Sequence, residues 1–419
     1  MMRTERCAWI GAALTVALQA SFGHASEPSD AVHRRFDDPR QPPTWRVIGS
    51  DEAAAQQFGQ AIFNSIWLPA GAARAERRDG LGPVFNAASC DACHNNGARA
   101  TAPRDDGRLP IGFVIQLGLA NAASTPLGDV LNPAAIEGFP AEGQVVLRYR
   151  MREVGLADGA VVSLREPSYE LQGSRIAALP RQTVVKPRMA SPLFGVGLLD
   201  AVPQSAFASG SEAPGRFGWQ AGTRSVRDQT AKAFSREMGL HSADYRMDDC
   251  GDDAACADAP EGGEPEVSED FLQAVTRFQS LLAVPQAAAL DGKAEAEGAR
   301  LFQRTGCAAC HVPSLPVEGI DGVHQIAAYT DLRRHDLGDD LADRRIDGVV
   351  VESRWRTAPL WGIAHLPRGG QLGLLHDGRA RSVEEAILWH AGEADDARKA
   401  YMALPQAERA LLTDWTLRR

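Results

Sequence analysis

Two short stretches carry the densest chemistry in this chain. Cys90-Asp-Ala-Cys93-His94 and Cys307-Ala-Ala-Cys310-His311 each place two thiols three positions apart, with a histidine directly behind them. That spacing, C-x-x-C-H, is the attachment signal for a c-type haem. Two thiols so placed reach the two vinyl groups of one haem, and the adjoining imidazole becomes the proximal ligand of the iron. A thioredoxin-like redox pair is the competing reading of a single copy. Two copies, the second behind the helix-like run Gly298-Ala-Arg-Leu-Phe-Gln-Arg-Thr-Gly306, favour two covalently bound haems c.

The other three cysteines sort by position. Cys7 sits in an apolar stretch behind Arg3 and Arg6, and Gly23-His24-Ala25 follows with small residues where a signal peptidase needs them. This is the layout of a signal peptide over residues 1–25, so the expected location is the periplasm. No other stretch reaches the ~18 apolar residues of a membrane helix, so no integral membrane segment is expected after signal removal. Cys250 and Cys256 flank Gly-Asp-Asp-Ala-Ala, where an oxidising compartment favours a short-loop disulfide. The aspartates of this stretch could bind calcium. They lack the position-specific pattern of a calcium loop, and a solvated acidic loop is the plainer reading.

These sites need a scaffold. The chain has 419 residues, enough for two or three domains. Its composition, 44% hydrophobic and 23% charged, is that of a globular protein. The net charge of -10 argues against nucleic acid as a partner, because phosphate binding needs a basic face.

A diverged repeat organises the rest. Arg188-Met-Ala-Ser-Pro-Leu-Phe-Gly195 after the first motif parallels Arg356-Thr-Ala-Pro-Leu-Trp-Gly362 after the second. Trp219 to Gln229 likewise parallels His376 to Ala386. Two related haem domains follow from this order. The first half carries extra chain with alternating apolar runs, such as Gly112-Phe-Val-Ile-Gln-Leu and Gln144-Val-Val-Leu-Arg-Tyr, which read as strands. Elsewhere helical patterns dominate, and Ser382 with Glu385 forms a capping-box signature for a helix start.

A proximal histidine leaves one axial position on each iron. Filling it favours electron transfer; leaving it open admits peroxide or oxygen. No histidine occurs between His94 and His241, whereas the second half offers His324, His335, His365, His376 and His390. His390 lies eight residues after Ser382, and the matching register of the first half holds Ala233. The repeat therefore predicts a ligand in the second half and a gap in the first, the alternative for His390 being a partly buried helix histidine. Met189 and Met151 are the alternative ligands for the first iron. Arg188 and Arg356 are expected to bond haem propionates.

The chain resembles the bacterial di-haem cytochrome c peroxidase superfamily and, within it, the di-haem oxidoreductase family, peroxidases often labelled thiol oxidoreductases. The resemblance is carried by Asp79-Gly-Leu-Gly-Pro-Val-Phe-Asn-Ala-Ala-Ser-Cys90, Pro192-Leu-Phe-Gly-Val-Gly-Leu-Leu-Asp-Ala-Val-Pro203, Arg216-Phe-Gly-Trp219 and the stretch from Leu375 to His390. It implies a sixth ligand for the electron-transfer haem from the helix after the F-H-D-G-like motif. That ligand is methionine in the peroxidases and tyrosine in the enzymes that mature tryptophylquinone cofactors. The matching position here is His390, which implies a bis-histidine haem of lower potential; Met402 and Tyr401 are the other residues available. The resemblance also implies a distal Glu and Gln at the peroxidatic haem and a Trp between the haems. Gln229, ten residues after Trp219, and Glu237, in Arg236-Glu-Met-Gly239, match that pattern with a slightly shortened spacing. A carboxylate of raised pKa can move a proton between the two oxygens of peroxide. Glu237 is therefore the candidate acid–base, Gln229 its hydrogen-bonding neighbour, and Trp219 the carrier between the irons.

The expected fold is mainly α: two cytochrome c-like haem domains related by the repeat, with a small β-rich insertion in the first. The expected divisions are 1–25 as signal peptide, 26–247 with an insertion at about 105–185, an acidic linker at 248–266, and 267–419. The expected function is a periplasmic di-haem oxidoreductase. Its first haem, on Cys90, Cys93 and His94, would be high-spin and peroxidatic. Its second, on Cys307, Cys310, His311 and His390, would relay electrons from a small cytochrome or cupredoxin. The substrate is hydrogen peroxide or another small oxidant, or a partner oxidised through high-valent iron. A plain electron-transfer cytochrome and a thiol oxidoreductase are the rivals.

Overall fold

The computed structural model describes residues 32–38, 40–72, 78–99, 101–119, 123–207, 215–246, 249–366 and 371–419. The expected signal peptide and Cys7 lie outside them. Among the described residues the α-helices are α1 (Ser50–Asn64), α2 (Cys90–Cys93), α3 (Val196–Asp200), α4 (Val226–Met238), α5 (Ala254–Ala257), α6 (Glu269–Leu281), α7 (Gly292–Arg304), α8 (Val383–Trp389), α9 (Asp395–Met402) and α10 (Gln406–Leu417).

The longer helices form where sequence signals agree. Ser268 caps α6 by accepting from the Phe271 amide, and Glu269 and Asp270 in the first turn complement the helix dipole. Leu272, Val275, Phe278 and Leu281 then recur at helical spacing and are buried. They meet α1, whose Phe63 ring lies 5.1 Å from that of Phe278. In the second half α7 crosses α10, with Phe302 5.0 Å from Trp415.

The mainly α expectation is overturned. Helix accounts for 32% of the described residues and strand for 20%. The strands arise in two places. The first-half insertion supplies Phe113–Gly118, Val130–Leu131 and Val184–Met189, together with a long ribbon in which Gln144–Gly155 pairs antiparallel with Val161–Gln172. The second half adds strands of two or three residues, too short to show a period in sequence. Two of these, Asp343–Arg345 and Val350–Glu352, extend the first-half sheet: Arg344 pairs with Val185 beside the Phe113–Gly118 strand. One five-stranded sheet is thus built from both halves. The ribbon also leaves its own half. Leu156 and Leu164 enter the second-half core, and buried Arg165 donates to the carbonyls of Gly378 and Arg379.

The two repeat motifs meet face to face. Gly195 (φ 66) and Gly362 (φ 72) both adopt the left-handed conformation before a short helical turn. A Cβ on Gly195 would lie 2.6 Å from the Trp361 ring, and one on Gly362 would lie 2.9 Å from the Phe194 ring. Each motif's aromatic residue therefore sits over the other motif's glycine.

The stretch around Cys250 and Cys256 is folded against the body. These cysteines form a disulfide and are buried. Asp253 caps α5 and pairs with Arg175 at 2.5 Å, while Asp249 is held by Arg236 and two backbone amides. Both carboxylates are committed to these partners.

Candidate active site

The first motif is the short helix α2, capped by Ser89, with His94 just past its end. Cys90, Cys93 and His94 line a cavity of about 540 Å³. Its volume suits a bound cofactor, for which ~300–1,000 Å³ is usual. Burial raises the Cys90 and Cys93 thiols to about 12 and lowers His94, so the imidazole is neutral. Thiols pushed this way are poor nucleophiles, because the thiolate is the reactive form.

Helix α4 forms the opposite wall. Gln229, Ala233 and Glu237 recur every fourth residue and all line the cavity. Gln229 Oε1 accepts from the Thr223 hydroxyl at 2.7 Å, which orients its amide nitrogen away from that contact. Glu237 is half-buried, and its inner oxygen, Oε2, is shielded from solvent and has no hydrogen-bond partner. Burial and, to a lesser degree, Asp249 raise its carboxyl to about 7 against the opposing effect of Lys232 and Arg236. The structure thus places an acid of near-neutral pKa on the cavity wall, with Gln229 two turns away.

Trp219 lines the same cavity and packs against the hydrophobic core of the second half. Its indole donates to the Met189 carbonyl at 2.7 Å, and its own carbonyl accepts from the Arg356 amide. Met189 is 1% exposed and packs in the cluster of Phe113, Ile115 and Leu117. Met151 is exposed on the ribbon. The two arginines diverge. Arg188 gives both terminal nitrogens to Asp343, at 2.8 and 2.6 Å. Arg356 is buried with no carboxylate partner among the described residues, and desolvation lowers it to about 10. An unmatched cation on a cavity wall suits an acidic group such as a propionate.

At the second motif, Gly306 (φ 86) leads from α7 into the turn bearing Cys307, and Cys310 and His311 follow. His311 Nδ1 donates to the Tyr329 carbonyl at 2.9 Å, and His390 Nδ1 donates to the Ala386 carbonyl at 2.6 Å. Both rings therefore carry the proton on Nδ1, leaving the Nε2 lone pair for a metal. Burial lowers His311 to about 4, and repulsion from His390 adds to the effect. His390 is the cap residue where α8 stops, at ψ 121. Its counterpart Ala233 lies inside α4, which runs on to Met238 and so delivers Glu237. Tyr401 is buried with its hydroxyl on Glu384, and burial raises it well above its ordinary range. His335 is tied between Asp331 and Glu393.

Sequence reading passed over Lys186, Lys232, Asp129 and Arg236 at the cavity. The i, i+4 relation of Lys232 to Arg236 is the one signal that could have pointed to them.

The pattern of the family described as "Di-haem oxidoreductase, putative peroxidase" matches residues 40–111 and 208–417. The gap between the two matched parts covers most of the β-rich insertion. No curated protein matches the chain. The structure "Kuenenia stuttgartiensis Hydrazine Synthase Pressurized with 20 bar Xenon" aligns over 99% of this chain and 100% of its own, at 13% identity and a TM-score of 0.42. Two thiol–thiol–histidine sites with unlike far sides, matched over most of the chain, place it in a family by sequence and geometry together: the chain belongs to the di-haem oxidoreductases.

Proposed function

We propose that the protein is a periplasmic peroxidase that reduces hydrogen peroxide at the first site with electrons relayed from the second. The observation that carries this reading is Glu237, a solvent-shielded carboxyl of raised pKa facing a cavity beside Cys90, Cys93 and His94. Covalent haem c at each motif supplies the redox chemistry when bound. Cys90, Cys93 and His94 would hold one haem, with Arg356 toward its acidic edge. Cys307, Cys310, His311 and His390 would hold the other.

The chain's own groups handle the protons. Glu237 takes a proton from one peroxide oxygen and returns it to the other, and the Gln229 amide orients the substrate. Hydrogen peroxide gains two electrons and two protons and leaves as two waters. The apolar second-half core around Trp219 keeps the path between the sites dry. A small cytochrome or cupredoxin donates the electrons.

A room-temperature optical spectrum of the oxidised holoprotein tests the division of labour. A high-spin charge-transfer band in the red is expected, together with peroxide turnover. Two low-spin irons in every redox state would instead make the protein an electron carrier.

Thiol oxidation is the rival with a specific residue pair. The only disulfide among the described residues, Cys250–Cys256, is buried beside Asp249 and α5 and lines no part of the cavity. Replacing both cysteines by alanine is expected to leave peroxide turnover unchanged and to cost about 2 kcal/mol of stability, measured by denaturant titration.

A further inference from the structure

Between the cavity and His390 the structure holds a run of buried side chains joined by cation–π contacts, one ring stack and an ion pair. The Arg188 guanidinium lies on the cavity wall and 4.7 Å over the Trp355 ring. Trp355 also stacks on His376, with centroids 3.8 Å apart and planes 9° from parallel. His376 Nε2 is 3.8 Å from Asp377, and Asp377 binds Arg379 at 2.8 Å. The Arg379 guanidinium lies 4.8 Å over Trp389, whose chain neighbour is His390.

Charge is balanced along the run. Arg188 is neutralised by Asp343 and Arg379 by Asp377. These four residues, His376 and both tryptophans are buried. Among the described residues the indole N–H of neither Trp355 nor Trp389 finds an acceptor. Buried indoles normally secure one, so hydrogen bonding does not explain their placement. For Trp355 the parallel contact with His376 does, and Trp389 is covered by the Arg379 guanidinium.

We infer that the Trp355–His376 stack is an electron path between the two haem sites, additional to Trp219. It rests on the di-haem reading above. Each hydrogen peroxide takes two electrons, which would pass one at a time from the second haem to the first, the external donor refilling the second haem between them. No bond forms or breaks along the stack. No proton moves either: Trp355 has no acceptor for its N–H, and burial keeps His376 neutral at about 3.

The test uses the full-length holoprotein with the second haem reduced in advance. It is mixed rapidly with hydrogen peroxide, and reoxidation of the low-spin bands is followed. Haem content and peroxide-driven reoxidation are first established in the wild type, and their absence there overturns the proposed function and this inference with it. Trp355→Leu is expected to slow reoxidation by about tenfold, with both midpoint potentials and the axial ligands unchanged by spectroelectrochemistry. Trp355→Phe, which keeps a ring in the stack, is expected to retain most of the rate. If Trp355→Leu does not fold, His376→Leu interrupts the same contact and carries the same expectation. A wild-type rate in the leucine variant overturns the inference. So does a slowed rate with shifted potentials, since driving force and not path would then be altered.

Discussion

Glu237→Gln is expected to lower peroxide turnover by about 10²–10⁴-fold, the range usual for loss of a positioned acid–base group. The variant keeps the shape of the side chain and loses only the ability to give and take a proton. Haem content and the optical spectrum of the oxidised protein are therefore expected to stay as in the wild type. The pH profile gives a second readout. Glu237 titrates at about 7, held there by burial and by Asp249. As a base it works in the ionised form, so turnover is expected to rise with pH through about 7 and level off above. In Glu237→Gln that limb is expected to vanish. A variant that keeps both its rate and its limb would assign the proton transfer to another group.

His390→Ala is expected to have an equally large effect, seen first in the spectrum. Both motif cysteines remain, so haem staining of the denatured protein should be unchanged. The bis-imidazole low-spin signal of the second haem should disappear, and peroxide turnover with an external electron donor should fall by about tenfold or more. His390→Met is expected to raise the midpoint potential of that haem substantially, since axial ligand choice spans ~0.8 V among haem proteins. An unaltered low-spin signal in His390→Ala would hand the ligand role to another side chain.

Much of the site was legible because its chemistry sits in contiguous sequence. The C-x-x-C-H motifs and the C-x5-C pair are local, and so is the contrast between Ala233 and His390 at one register of the repeat. The repeat itself is visible in the backbone. Bridges Phe217–Thr223 and Leu374–Ala380 each lead to a serine cap, Ser225 or Ser382, and then to α4 or α8. What was not legible is non-local. Arg188 reads as a propionate ligand until Asp343, 155 residues away, is seen to bind it. The Asp343–Arg345 strand has three residues and no period to read. It is a strand because Val184 and Val185 offer it an edge. Trp355 and His376 stack across 20 residues of intervening chain for the same reason: packing, not spacing, brings them together.

The shared sheet has a consequence for how the molecule is made. The first cavity is walled in part by Arg356, Pro359 and Trp361, and Arg188 finds its counter-charge on Asp343. A nascent chain that has emerged only as far as α6 therefore owns both thiols of the first motif without the walls that enclose them. Domains ordinarily fold in the order they are synthesised; here the earlier half must wait for the later one. The proposed attachment of the first haem would thus have an open, accessible substrate until the chain reaches Trp361. From then on one continuous piece of architecture would set the separation of the two proposed haem sites.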